Sequence, residues 1–332
     1  MIFYPSIIAL YAAALFIGCM IMCSAWYGLR IQWRWNISSG SDLQLILERK
    51  TYLVSTILTY LFAFELISFF LFIYTADHLH SLFVGAMCAA GSLKVNGFGY
   101  PALMLKMTNF ILAGLWLILN HADNQAYDYP LIKKKYLLLL IITPLILLEV
   151  ILQTRYFLLL RPSIITSCCG TLFSSDSPTL AGDLAALPPT PMMAVFYLTM
   201  VVHASAAFYF YRRERAGYFL GGISAVGLMV SIAALLSFIS PYFYELPTHH
   251  CPFCILQGEY GYIGYPLYAS LFGSAVTGMG VGILMPFRGI ESLARTLPPL
   301  QKKLALASLI LAVIFTGMVV FRILSTDFIL QS

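Results

Sequence analysis

The segment His249-His250-Cys251-Pro252-Phe253-Cys254 gathers two thiols and two imidazoles within six residues. A thiolate is the nucleophile of disulfide exchange and also a ligand for soft metals. The spacing Cys-x-x-Cys therefore suits a redox pair, a metal site or a structural bridge, and the residues alone leave all three open. At a helix N-terminus the pair would gain thiolate character from the positive end of the helix dipole, and Pro252 suits a first helical turn. Three further cysteines are candidates to join it: Cys88, and the adjacent Cys168 and Cys169. A disulfide between adjacent cysteines is strained, so Cys168 and Cys169 are expected to pair elsewhere or to bind a metal. A metal set would draw on His249, His250, Cys251, Cys254, Cys168 and Cys169. Cys19 and Cys23, four apart in an apolar run, read as small packing residues.

Gln257 and Glu259 follow Cys254 closely, and Tyr260 begins an aromatic cluster with Tyr262, Tyr265 and Tyr268. These are candidates for binding a flat cofactor ring. Most of the tyrosines, Tyr242 and Tyr244 included, read as an interfacial belt. Glu65, Glu149 and His203 fall near the middle of apolar runs. Ionisable groups there are costly and face a bundle interior or a cavity. They are candidates for a proton path; the alternative is a set of buried pairs such as Glu149 with Arg155. Lys106 and Arg155, nearer the run ends, are expected to snorkel.

The elements that must position these groups are membrane helices. The 332 residues are 60% hydrophobic and 10% charged, with a mean hydropathy of +0.86. A soluble domain carries about a quarter charged residues. Runs long enough to span a bilayer fall near 4–28, 51–75, 101–119, 137–160, 191–211, 217–240, 255–286 and 304–325. This predicts an all-α integral membrane protein of about eight helices. The last but one run contains Pro266 and is expected to begin as a non-helical turn.

Fourteen of the 19 basic residues, Lys133, Lys134 and Lys135 among them, fall in the loops 29–50, 120–136, 212–216 and 287–303. The positive-inside rule then places both termini and the five loop cysteines on the outer side of a bacterial cytoplasmic membrane, an oxidising compartment. Once this cytoplasmic collar is set aside, the net charge of +5 leaves no basic face for nucleic acid. The N-terminus has no basic n-region, so it reads as a first helix and not a signal peptide.

The chain also repeats itself. Gly99-Tyr100-Pro101 recurs as Gly264-Tyr265-Pro266, and Glu48-Arg49 with Tyr52 recurs as Glu214-Arg215 with Tyr218. Pro130-Leu131 before Lys133-Lys134 recurs as Pro299-Leu300 before Lys302-Lys303. Repeats in one order point to duplication. The organisation expected is two tandem parallel four-helix repeats, 1–165 and 191–332, joined by a polar outer linker, 166–190, that carries two cysteines.

Cys251-Pro252-Phe253-Cys254-Ile255-Leu256-Gln257 resembles the active-site segment of two related four-helix families, the quinone-coupled disulfide-bond-forming membrane oxidoreductases and the vitamin K epoxide reductases. Cys88, followed by Asn96, Gly97, Gly99 and Pro101, resembles the outer-loop cysteine of the second family. The resemblance implies that Cys251 and Cys254 exchange electrons with a quinone while an outer pair relays them from a soluble periplasmic thiol protein. Cys88 has no second cysteine in its own loop, so the pair would be Cys168 with Cys169, or Cys88 with one of them. The expected function is an outer-face thiol–disulfide oxidoreductase with Cys251, Cys254, Cys88, Cys168 and Cys169 as its thiols and Gln257, Glu259 and Tyr260 beside a quinone. The alternatives are a soft-metal binding or transport protein, and a non-catalytic subunit of a larger membrane complex with structural disulfides.

Overall fold

The computed structural model describes residues 4–36, 39, 41–161, 165, 166 and 180–330. No strand occurs among the described residues. Eight helices are long and apolar enough to cross a membrane. They are α1 (Pro5–Arg34), α2 (Asp42–His78), α4 (Gly99–Asp123), α5 (Ile132–Leu158), α7 (Pro189–Arg213), α8 (Gly217–Tyr244), α9 (Gly264–Leu284) and α10 (Leu297–Leu324). Two short helices, α3 (Ala89–Lys94) and α6 (Leu180–Ala185), lie in connections. The two Gly-Tyr-Pro triplets open α4 and α9, where proline costs no helix hydrogen bond. The expected non-helical start of the seventh span is present, because α9 begins only at Gly264.

The described chain forms two compact units. The first holds the residues through Phe72, Asn96–Leu160 and Pro286–Leu300. In it α5 packs on α1 and α4. On α5, Ile132, Tyr136, Leu139, Ile142 and Ile146 recur every three or four residues and are buried, so they form one face. That face meets Ile17 and Ile21 of α1, Leu58 and Phe62 of α2 and Trp116 of α4. Phe62 and Trp116 pack with ring centroids 4.9 Å apart.

One cationic loop residue departs from expectation. Lys135 is wholly buried, with its ammonium 2.7 Å from Asp123 Oδ2 and 2.9 Å from Asn120 Oδ1. Asp123 Oδ1 accepts from the Leu131 amide at 2.7 Å, and the Trp116 indole donates to Lys135 O at 3.0 Å. Lys135 therefore closes the α4–α5 connection from inside and does not belong to a solvated collar. Cys19 and Cys23 are exposed on α1 and do not join this core.

The second unit holds Ile73–Val95, Arg161–Met285 and the residues from Gln301 on. Here α8 packs on α7 and α9. Lipid offers no hydrophobic drive between helices, so small residues that let backbones approach carry the association. Gly221 and Gly282 meet so closely that a Cβ on either would lie 3.0 Å from the other's Cα. At Gly278 a Cβ would fall 2.0 Å from Ser224 Oγ and 2.8 Å from Ser308 Oγ. Ser274 and Ser308 exchange hydroxyl-to-carbonyl bonds between α9 and α10, at 3.1 and 3.0 Å.

Gly278→Val should destabilise this unit by about 1–3 kcal/mol, as overpacking does, and lower the melting temperature in detergent. An unchanged melting temperature would show that α8, α9 and α10 do not meet at Gly278.

Candidate functional site

The second unit brings Cys88, Cys251 and Cys254 together. Their three Sγ atoms lie within 4.8 Å of one another and all three residues are buried. Cys88 Sγ is 3.5 Å from Cys251 Sγ. Cys88 stands before α3, and its neighbour Ala89 donates its amide to Asp77 Oδ1 at 3.1 Å. The Cys-x-x-Cys segment corrects the sequence expectation. It does not start a long helix: Cys254–Leu256 is a single 3-10 turn, Gly258–Tyr260 another, and α9 begins ten residues after Cys254. The pair therefore lacks the dipole of a long helix beginning at its own position.

Hydrogen bonds hold the segment in place of a helix. The Tyr244 hydroxyl donates to Cys251 O at 2.5 Å and accepts from the Ile255 amide at 2.9 Å. The Tyr268 hydroxyl donates to Pro252 O. Both tyrosines are buried, so they are not belt residues. Tyr244 ends α8, where Arg322 of α10 donates to Phe243 O at 3.0 Å and pairs with Glu245 at 2.9 Å. A cation bonded to the last carbonyls of a helix satisfies groups that have no helical donor. Upstream, Leu235–Ile239 is a π-helical turn. The Ser240 amide bonds Leu235 O and Pro241 has no N–H, which leaves Leu236 O without a helical donor. His250 Nδ1 supplies one at 2.7 Å. The carbonyl only accepts, so Nδ1 carries the proton.

An open cleft of about 720 Å³ borders this arrangement. Cys254 lines it; Cys88 and Cys251 do not. His249 lines it too, with Nε2 3.3 Å from Cys254 Sγ. Gln257, Glu259 and Tyr260 are all on its wall, as are Asp77, His78 and His80. Gln257 Nε2 donates to Met87 O at 2.8 Å and reaches Asp77 Oδ1 at 3.4 Å. It thereby ties the Cys88 loop to the Cys-x-x-Cys segment. Burial pushes the Tyr260 phenol above its ordinary value, and the nearby Cys254 and Glu259 act in the same direction. Tyr260 is then a neutral hydrogen-bond donor at neutral pH.

The other predicted residues fall as follows. Cys168 and Cys169 lie outside the described residues. His250 is committed to Leu236 O, and neither it nor His249 belongs to the convergent ligand set, which is Cys88, Cys251 and Cys254. Glu65 and Glu149 meet in the first unit across Lys106. Lys106 is buried and does not snorkel, and it takes the place expected for Arg155 as partner of Glu149. His203 is in the second unit, 2.9 Å from Ser308 Oγ and 3.3 Å from Ser224 Oγ. Sequence reasoning missed Asp77, and it missed that Tyr244 and Tyr268 hold the Cys-x-x-Cys backbone. The visible signal for Asp77 was the run Asp77-His78-Leu79-His80 at the end of an apolar span.

No family model matches the chain, and no curated protein or solved structure matches it either.

The burial pattern sets an order of reactivity. In reduced protein Cys254 should alkylate first, with Cys88 and Cys251 slower. Tyr244→Phe leaves a buried carbonyl and amide without their partner, a loss of about 1–3 kcal/mol. It should raise Cys251 alkylation by about tenfold or more, read by mass spectrometry. Equal rates for all three thiols in the unsubstituted protein would sink this order.

Proposed function

We propose that the chain is a membrane thiol–disulfide oxidoreductase in which Cys254 meets the substrate and Cys251 and Cys88 carry the oxidation inward. The observation that carries the reading is the division of the three thiols. Cys254 alone borders the cleft, with an imidazole 3.3 Å away, while Cys88 and Cys251 sit 3.5 Å apart behind it.

His249 is within reach to take the Cys254 proton, as a base beside a nucleophile does. The Cys254 thiolate attacks one sulfur of a polypeptide disulfide. That bond breaks, a mixed disulfide forms on Cys254, and the other substrate sulfur leaves as a thiolate. Cys251 then attacks Cys254 Sγ, releases the second substrate thiolate and leaves a Cys251–Cys254 disulfide. The substrate gains two electrons and takes up two protons; the site loses both. Attack by Cys88 on Cys251 Sγ would move the disulfide to Cys88–Cys251 and return Cys254 to its thiol form. Run in reverse, the same steps oxidise a substrate dithiol.

The cleft wall, with Asp77, His78, His80, Gln257 and Glu259, suits a hydrated polypeptide segment. Ala86, Met87, Tyr260 and Tyr262 give the same wall an apolar share. The loop charge asymmetry supports placing the cleft on the outer face of a bacterial cytoplasmic membrane, and the matched motifs support descent of the helices from a duplicated four-helix ancestor. A second reading, a soft-metal site, is favoured by the convergence of three sulfurs within 4.8 Å, since thiolates select such ions.

The test is exchange with a peptide carrying one disulfide, using full-length protein in nanodiscs. Cys254→Ser should abolish exchange, Cys251→Ser should trap the peptide on Cys254, and His249→Ala should slow the first step about 100-fold, the scale of a lost general base. Undiminished exchange by Cys254→Ser would overturn the proposal. Stoichiometric metal that protects all three thiols from alkylation until chelated would put the metal reading in its place.

A further inference from the structure

The first unit holds a charged cluster that the thiol chemistry does not use. Lys106 of α4 sits between two carboxyls. Its ammonium is 2.6 Å from Glu149 Oε1 of α5 and 3.6 Å from Glu65 Oε1 of α2, and it donates to Ser68 Oγ at 3.0 Å. Glu149 spends its second oxygen on Asn109 Nδ2, at 2.6 Å. All three charged side chains are at most 4% exposed. Glu65 Oε1 receives no hydrogen bond, and neither does Gln153 Oε1. Both residues line a cavity of about 10 Å³, together with Ser68, Lys106 and Glu149. That is about the space of one water, and such a site is filled when it offers two to four polar partners. The remaining wall is apolar: Val150 of α5, and Leu10, Ala13, Ala14 and Ile17 of α1. No other ionisable group lines the cavity.

Two carboxylates and one ammonium leave an uncompensated negative charge. A charge without a partner inside a bilayer costs several kcal/mol. Glu149 takes the short ammonium bond and the amide bond, which are bonds to an ionised carboxylate. Glu65 is left with the long contact and an oxygen that lacks a donor. We propose that Glu65, Lys106 and Glu149 form a proton-binding site within the membrane that holds one exchangeable proton, resident on Glu65 and in contact with a water in the adjoining cavity. The proton belongs to the pair and not to one residue. Whichever carboxyl remains beside Lys106 takes over its charge.

That sharing gives a signature a lone buried acid would not have. Infrared spectra of the full-length protein in nanodiscs at neutral pH should contain a protonated-carboxyl C=O band that shifts in D₂O. Both Glu65→Gln and Glu149→Gln should remove it, because each leaves one carboxyl to pair with the ammonium. Lys106→Met should raise it about twofold, because neither carboxyl then has a cation. The two glutamine variants keep shape and hydrogen bonding, so they remain informative if Lys106→Met does not fold. Absence of the band in the unsubstituted protein would overturn the proposal. So would a band that survives Glu149→Gln, which would mean an isolated acid. Loss of the band on adding sodium, with no change in pH, would mean that the site takes a metal cation instead.

Discussion

The hydroxyl of Tyr244 is the contact on which the thiol site depends. Between Glu245 and Ile263 the chain leaves α8 and reaches α9 with only two 3-10 turns of regular structure. Such a segment cannot satisfy its own backbone, and buried amides and carbonyls without partners are costly. Tyr244 answers this twice with one oxygen, by donating to Cys251 O and accepting from Ile255 N. Tyr268 covers Pro252 O between them. The segment is thereby held from both flanking helices, and the thiols inherit their positions from these bonds. The anchor itself is anchored, because Arg322 secures the carbonyls of the turn that carries Tyr244.

Each unit also encloses a polar cluster beside a cavity of about 10 Å³, and the two differ in kind. In the first unit the cluster is ionic and needs Lys106 to hold two carboxyls. In the second it is a neutral set, His203 with Ser224 and Ser308. Neutral hydroxyls can pair with one another and with backbone carbonyls at little cost. Buried charges cannot, and they persist where their removal would leave a partner charge unpaired. Removing His203 would forfeit hydrogen bonds, whereas removing Lys106 would forfeit the neutrality of its surroundings.

The helical class and all eight spans were legible, because a bilayer leaves a long apolar signature that no soluble element imitates. The late start of α9 was legible too, from Pro266 in an overlong run. The Cys-x-x-Cys was visible as a motif but not as a structure. Helix capping is a local rule, and here tertiary bonds from Tyr244 and Tyr268 override it. Those tyrosines were hidden for the same reason, since an aromatic at the end of a span looks identical whether its hydroxyl meets headgroups or a buried carbonyl. Likewise Lys135 lies in a run of three lysines, and nothing in that run shows that only one turns inward to Asp123. The meeting of Cys88 with Cys251 and Cys254 depends on contacts 163 residues apart, beyond any spacing rule.

The π-helical turn at Leu235–Ile239 amounts to one residue more than a regular helix would hold over the same length. Each residue in an α-helix turns the chain by about 100°. Loss of a single residue within this turn would restore a regular helix and leave Tyr244 in phase, whereas loss of one elsewhere in α8 would swing Tyr244 by that angle, away from the carbonyl it holds. An insertion or deletion at a lipid-facing turn of α8 would thus act at a distance, through phase and not through contact. Outside this turn, length more than residue identity is what α8 must preserve.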